Sequence, residues 1–219
     1  MARMTRPLCG DFETRLRALL AEHVPTRLER PGGRAAAVLL PVIGGREPAL
    51  IFTVRSEDLP SHQGQVSFPG GSIDPGDASP AEAALREAHE EVGLDPGGVE
   101  VIGELDTFPT YVSGFVVTPI VGWLARPPEL RPNPAEVSEV LIVPIAGLSD
   151  AVRRDPGFVH RGRALPTEAW VWDGHVIWGV TARIVRGFLK LLANAGLTDP
   201  PGGEDWWLRF EPPAGAVRP

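Results

Sequence analysis

Phe68–Leu94 reads FPGGSIDPGDASPAEAALREAHEEVGL, a glycine turn followed by a helix start and a run of acids around one arginine. Gly70 and Gly71 can take backbone angles closed to other residues, and they have no side chain to block a ligand. Ser79 suits an N-cap and Pro80 the first helical position. Glu82 follows Ser79 by three, the spacing of a capping box. The pattern predicts a helix from Pro80 to about Val92, with Gly93 placed to end it. Ala81, Ala84, Leu85, Ala88 and Val92 recur at helical spacing and form its buried stripe. Glu82, Arg86, Glu87, Glu90 and Glu91 fall off that stripe.

Glu87 and Glu91 are four residues apart, so their carboxylates share one face, and Glu90 reaches the same region. Arg86 is four residues from both Glu82 and Glu90 and can pair with either. Like charges at this spacing repel and weaken a bare helix. A hard divalent cation such as magnesium relieves the repulsion, because it takes oxygen ligands and keeps part of its water shell. On the helix alone, a solvated acidic face with one ion pair remains the simpler reading.

Taken together, Gly71, Arg86-Glu87, Glu90-Glu91 and Gly93-Leu94 resemble the Nudix box. Asp77 stands where the box has its early glutamate, and eight residues separate it from Arg86 instead of seven. The Gly-Gly-x-x-Asp-x-x-Asp variant resembles the coenzyme A pyrophosphatase branch of the Nudix hydrolases. Two further stretches carry that resemblance. Thr53, Arg55, Ser56, His62, Gly64, Gln65 and Phe68–Gly71 match the branch's signature loop, with Pro60 where the branch has an arginine. Asn133-Pro134-Ala135-Glu136-Val137 resembles its Asn-Pro-x-Glu-Val element.

The resemblance implies an α/β/α sandwich with a mixed β-sheet and a loop-helix-loop motif, on residues 31–197. An N-terminal arm and helix (1–30) would precede it and a tail (198–219) follow. It implies Mg2+ or Mn2+ held by Glu87 and Glu91, then Glu90, with a backbone carbonyl near Gly70 or Gly71 completing the shell. Arg86 would orient the glutamates, and the general base would be Glu136, with Glu90 or Glu87 next. Arg55, His62, Gly70 and Gly71 would meet substrate. The implied reaction splits coenzyme A or a derivative into phosphopantetheine and adenosine 3′,5′-bisphosphate. Pro60 keeps open another dinucleoside pyrophosphate, such as ADP-ribose or NADH. A non-catalytic nucleotide sensor is a third reading, which the intact Arg86-Glu87 and Glu90-Glu91 pairs disfavour.

Composition narrows the classes further. The 219 residues suffice for one substantial domain, and 43% of them are hydrophobic. The net charge of −7 argues against a general nucleic-acid binder, which needs a basic face. The lone Cys9 excludes an internal disulfide framework and fits a reducing compartment. No apolar run approaches a membrane span, and MARMTRPLCGD has no apolar signal core, so a cytoplasmic monomer or homodimer is expected.

Outside the motif, Phe12, Leu16, Leu19 and Leu20 predict a helix, and Ala35–Val42 and Ala49–Arg55 a β-hairpin. Val99–Thr107 and Phe115–Leu124 read as strands, with Thr118-Pro119 suggesting a bulge or an edge position. The run around VLIVPIAGL predicts a strand end and a helical turn. Phe158–Arg163 and Glu168–Asp173 read as a final hairpin, and Val176–Ala195 as a long amphipathic helix. Ile177, Val180, Ile184, Val185, Phe188, Leu191 and Leu192 form its core face. Phe68 reads as a packing residue, and Trp206-Trp207 as cover for an apolar patch or a dimer contact ahead of a stack on a base.

Overall fold

A computed structural model of the chain describes residues 12–28, 30, 32–58, 63–110, 113–150, 152–154, 158–160, 163–165 and 168–200. Cys9, Pro60, His62 and Trp206-Trp207 lie outside the described residues. The elements in order are α1 (Phe12–Glu22), β1 (Arg34–Ile43), β2 (Ala49–Arg55), β3 (Val66–Ser67), β4 (Gly70–Ser72) and α2 (Pro80–Val92). Next come β5 (Glu100–Glu104), β6 (Phe108–Pro109), β7 (Phe115–Leu124), β8 (Val137–Pro144) and α3 (Ile145–Asp150). The chain continues through β9 (Val152–Arg154), β10 (Phe158–His160), β11 (Arg163–Leu165), β12 (Glu168–Trp172), β13 (His175–Ile177) and α4 (Gly179–Asn194).

β1 explains the architecture. Its apolar run does not alternate with polar residues because both faces are covered. Ala36, Leu40 and Val42 face one core with Phe12, Leu16 and Leu20 of α1 and Ile184, Val185 and Phe188 of α4. Ala37, Leu39 and Ile43 face a second core with Ala83, Ala84, Ala88 and Val92 of α2. The result is an α/β/α sandwich. β1 runs parallel to β7 along its whole length, from Arg34 opposite Phe115 to Ile43 opposite Leu124. The other pairings in this sheet are antiparallel, which makes the sheet mixed.

The expected hairpin of β1 and β2 forms only at its turn, where Val42 pairs with Leu50 and Ile43 with Ala49. Beyond that the strands part, and the Val66–Ser72 stretch enters the gap. β4 pairs with β1 through Gly70–Val38 and Gly71–Ala37, while β3 pairs with β2 through Val66–Val54 and Ser67–Thr53. The glycine turn is thus bound into the middle of the sheet.

Pro119 is not on an edge, since β7 lies between β1 and β5. Its carbonyl accepts from the Leu105 N–H at 3.0 Å, just past the last β5 pair, Glu104 opposite Ile120. The missing N–H points to the same side, in the gap between the β5 pairing and the β6 pairing that resumes at Val117, so the proline is tolerated. The hairpin expected from Phe158–Arg163 and Glu168–Asp173 does not form. β10 pairs with β11, and β12 pairs with β9 and β13. Asp173 and Gly174 both have positive φ, 45° and 82°, which makes Asp-Gly the tight turn between β12 and β13. That turn also shortens the predicted last helix. Val176 is exposed and Ile177 buried, as strand residues alternate, and α4 starts only at Gly179. Among the described residues no helix is long and apolar enough to cross a membrane.

Candidate active site

α2 begins as its sequence predicts. Ser79 Oγ accepts the Glu82 N–H at 3.2 Å, while the Glu82 carboxylate accepts the N–H of Ala78 at 2.7 Å, one residue earlier than a capping box requires. At the far end Gly93 takes φ 66°, and its N–H donates to His89 O at 2.9 Å. His89 Nδ1 lies 3.2 Å from Leu94 O, which makes this histidine part of the helix end.

The predicted stripe is rotated. Ala83, Ala84, Ala88 and Val92 are fully buried, and Glu91, expected on the polar face, is buried with them at 4% exposure. Glu91 looks across to β4, where the Gly70 N–H donates to its Oε2 at 3.3 Å. Burial pushes the Glu91 carboxyl up to about 8, against the pull of the Gly70 N–H, and the neighbouring Glu87 adds to the rise. Burial also raises Glu87, more than the Arg86 hydrogen bond lowers it. Gly71 stands against Glu87 so closely that a Cβ there would lie 2.6 Å from the Glu87 carboxyl carbon.

Arg86 has a different first partner from those predicted. Its Nε and Nη2 each donate to Asp77 at 3.0 Å, a bidentate grip on a carboxylate only 5% exposed. Nη1 donates to Glu87 at 2.9 Å and to Glu90 at 3.3 Å, and Nη2 also donates to Ser72 O at 3.2 Å. These bonds hold Asp77 below the usual carboxylate range. Glu82 is not among the partners. Arg86 therefore ties the loop before α2 to the acids on it, and Asp77 does this in the position of the early box glutamate. The signal was its place nine residues before Arg86. Glu90 stays half-exposed beside Arg86 and does not join Glu91.

Two neighbouring loops close on the same region. Arg55, at the end of β2, lies near enough to lower the Glu91 pKa, and its Nε is buried with no hydrogen-bond partner. Glu136 lies near enough to raise both Glu87 and Glu91. Its carbonyl accepts from the Ser56 N–H at 2.8 Å, and Asn133 Nδ2 donates to its Oε1 at 3.1 Å. A β-bulge in β8 brings this loop in. Opposite Val54 and Arg55 the register slips from Glu139 to Val137, which leaves Ser138 extra. Val137 thereby reaches the α2 core, although Leu141 and Val143 of the same strand face the other one. Phe68, at the turn, is buried and stacks on Phe52 with ring centres 4.5 Å apart, a packing role.

Among the described residues no group of three or more His, Cys, Asp or Glu side chains stands ready to hold a metal. The chemistry of the donors nevertheless fits a hard divalent cation. Glu91 is buried with one N–H as its hydrogen-bonded partner, Glu87 shares its arginine with two other acids, and both carboxyls are raised. Oxygen donors short of positive charge in a dry setting are what such a cation requires.

A family model described as NUDIX domain matches residues 33–162. The chain is 43% identical over 169 residues to a protein described as the uncharacterized Nudix hydrolase NudL of Shigella flexneri, covering 75% of this chain and 84% of that one. Against NudL of Shigella sonnei the identity is 43% over 183 residues, covering 82% and 92%. Among solved structures, a MutT/nudix family protein from Enterococcus faecalis aligns over 83% of this chain and 72% of its own, at 13% identity and a TM-score of 0.46. The NUDIX domain of Shewanella oneidensis NrtR, solved with ADP ribose, covers 59% and 82%, at 18% identity and a TM-score of 0.41.

Proposed function

This chain belongs to the Nudix hydrolases, and we propose that it cleaves the pyrophosphate bond of coenzyme A or its derivatives with the help of Mg2+ or Mn2+. The observation that carries the proposal is the meeting of two loops at one pair of raised carboxyls. The Arg55–Ser56 end of the signature loop and the Asn133–Val137 element both border Glu91, and the Ser56 N–H bonds directly to Glu136. These are the stretches whose sequences resemble the coenzyme A branch.

Glu87 and Glu91 are the residues that would hold the ion, with Glu90 at the exposed margin. When bound, the ion supplies charge for the diphosphate oxygens and lowers the pKa of water. The chain does the rest. Arg86 fixes Glu87 by a charge-assisted hydrogen bond and is itself fixed by Asp77. The glycine turn leaves space beside Glu87 that a side chain at Gly71 would fill. Arg55 brings a buried guanidinium N–H without a partner, a donor for a phosphate oxygen. Glu136 takes the proton as water attacks phosphorus and the bridging P–O bond breaks. Positioning and electrostatics account for most of such a rate enhancement. His62 would join Arg55 at the phosphates.

Incubation with coenzyme A, ADP-ribose and NADH in the presence of Mg2+ or Mn2+, with products identified by mass, tests the substrate. Coenzyme A should be cleaved at least about tenfold better than the others, a difference of about 1.4 kcal/mol in the barrier. A preference for ADP-ribose or NADH would leave the reaction class standing and overturn the substrate.

A further inference from the structure

We infer that Asn133 is the positioning residue for Glu136, and that it sets the Glu136 carboxylate relative to the end of α2. The inference rests on the reading of Glu136 as the base and adds how that base is held. Asn133 uses both its backbone and its side-chain groups. Its backbone N–H donates at 2.8 Å to the carbonyl of Glu91, one of the orphan acceptors at the end of α2. Its Oδ1 accepts the Ala135 N–H at 3.2 Å and closes a turn over Pro134. Its Nδ2 donates to Glu136 Oε1 at 3.1 Å. Its own carbonyl accepts the N–H groups of Glu136 and Val137, at 3.0 and 2.8 Å.

One residue therefore links the backbone of the buried Glu91, through its own N–H, to the carboxylate of Glu136, through its side chain. The geometry separates two roles of this amide. The oxygen shapes the turn, while the nitrogen holds the acid. A residue with an acceptor and no donor at this site keeps the first and loses the second. An aspartate has the same shape, accepts from Ala135 as before, and meets Glu136 with a repelling oxygen. Serine also offers an acceptor to Ala135 but cannot reach Glu136.

A double-mutant cycle with coenzyme A and Mg2+ tests this, using Asn133→Asp, Asn133→Ser, Glu136→Gln and each Asn133 variant combined with Glu136→Gln. A carboxylate displaced by about 1 Å loses on the order of a hundredfold in rate. Asn133→Asp and Asn133→Ser should therefore lower kcat roughly 10–100-fold, the range for partners that orient a functional group, with KM held within about twofold. In the Glu136→Gln background the same substitutions should change kcat by less than about twofold, because the group they position is already gone. Wild-type kcat in both Asn133 variants would overturn the inference, and so would an equal loss in the Glu136→Gln background, the mark of general damage to the loop. A Glu136→Gln enzyme at full rate would instead remove Glu136 as the base. A slowed Glu136→Gln beside unaffected Asn133 variants removes only the part given to Asn133.

Discussion

A methyl group on Gly71 would have the Glu87 carboxyl group as its nearest neighbour, at 2.6–2.7 Å, whereas one on Gly70 would meet the Ala37 carbonyl oxygen at 2.4 Å. The first neighbour is the end of a flexible side chain and the second is backbone. Gly70 also has φ 153°, which L side chains rarely adopt. Gly71→Ala should thus melt near the wild-type temperature while its hydrolysis rate falls, as Glu87 is pushed aside. Gly70→Ala should lose about 2 kcal/mol or more, a drop in Tm of roughly 4–8 °C. Calorimetry beside a rate assay separates the two, and equal melting points would refute the distinction. Glu91 gives a prediction in pH. Folding raises its carboxyl from 4.5 to about 8. Between those values the folded chain holds more protons than the unfolded one, so this group's contribution to stability declines as pH rises through the window. The decline is on the order of a few kcal/mol. With a chelator present, wild-type Tm should fall between pH 5 and 8 relative to Glu91→Gln, and excess Mn2+ should reverse the fall. Parallel curves for the two proteins would contradict it.

At the scale of the element, α2 and the loop before it act as one piece because Arg86 grips Asp77 with two parallel bonds. Asp77→Asn removes the charge and leaves a side chain that cannot accept both bonds. It should lower kcat roughly 10–100-fold, the range seen when an orienting partner is lost. Acid should have a related effect: the Arg86 bonds lower the Asp77 pKa, so their stabilisation is present at neutral pH and lost as pH falls. Rates for Asp77→Asn within twofold of wild type would show that Arg86 needs no such partner. The helix itself was legible in the sequence, since Ser79, Pro80 and Gly93 are local signals whose partners lie within a few residues. The burial of Glu91 was not. Its residue type argues for the solvent face, and only the approach of β4, which no periodicity encodes, covers it. The bulge at Ser138 was likewise invisible, because a register slip depends on the partner strand.

For the molecule as a whole, the sandwich followed from the box resemblance, and the unbroken apolar run of β1 accounts for a central strand covered on both sides. The β1–β2 hairpin formed at its turn but no further, because β4 and β3 took the edges that its longer pairing would have used. The same wedge puts Gly70 and Gly71 against α2, while the β2–β8 ladder and its bulge bring the end of β2 to Glu136. The fold thereby makes one site from three stretches that are far apart in sequence. The claim at the centre is that Glu91, buried and raised, serves a metal-dependent pyrophosphate cleavage. Turnover of coenzyme A with saturating Mg2+ by the wild type and by Glu91→Gln, read as products by mass, tests it most directly. The wild type should yield phosphopantetheine and adenosine 3′,5′-bisphosphate, and the folded Gln variant should be slower by about a thousandfold, some 4 kcal/mol in the barrier. Near-equal rates for the two proteins would contradict it.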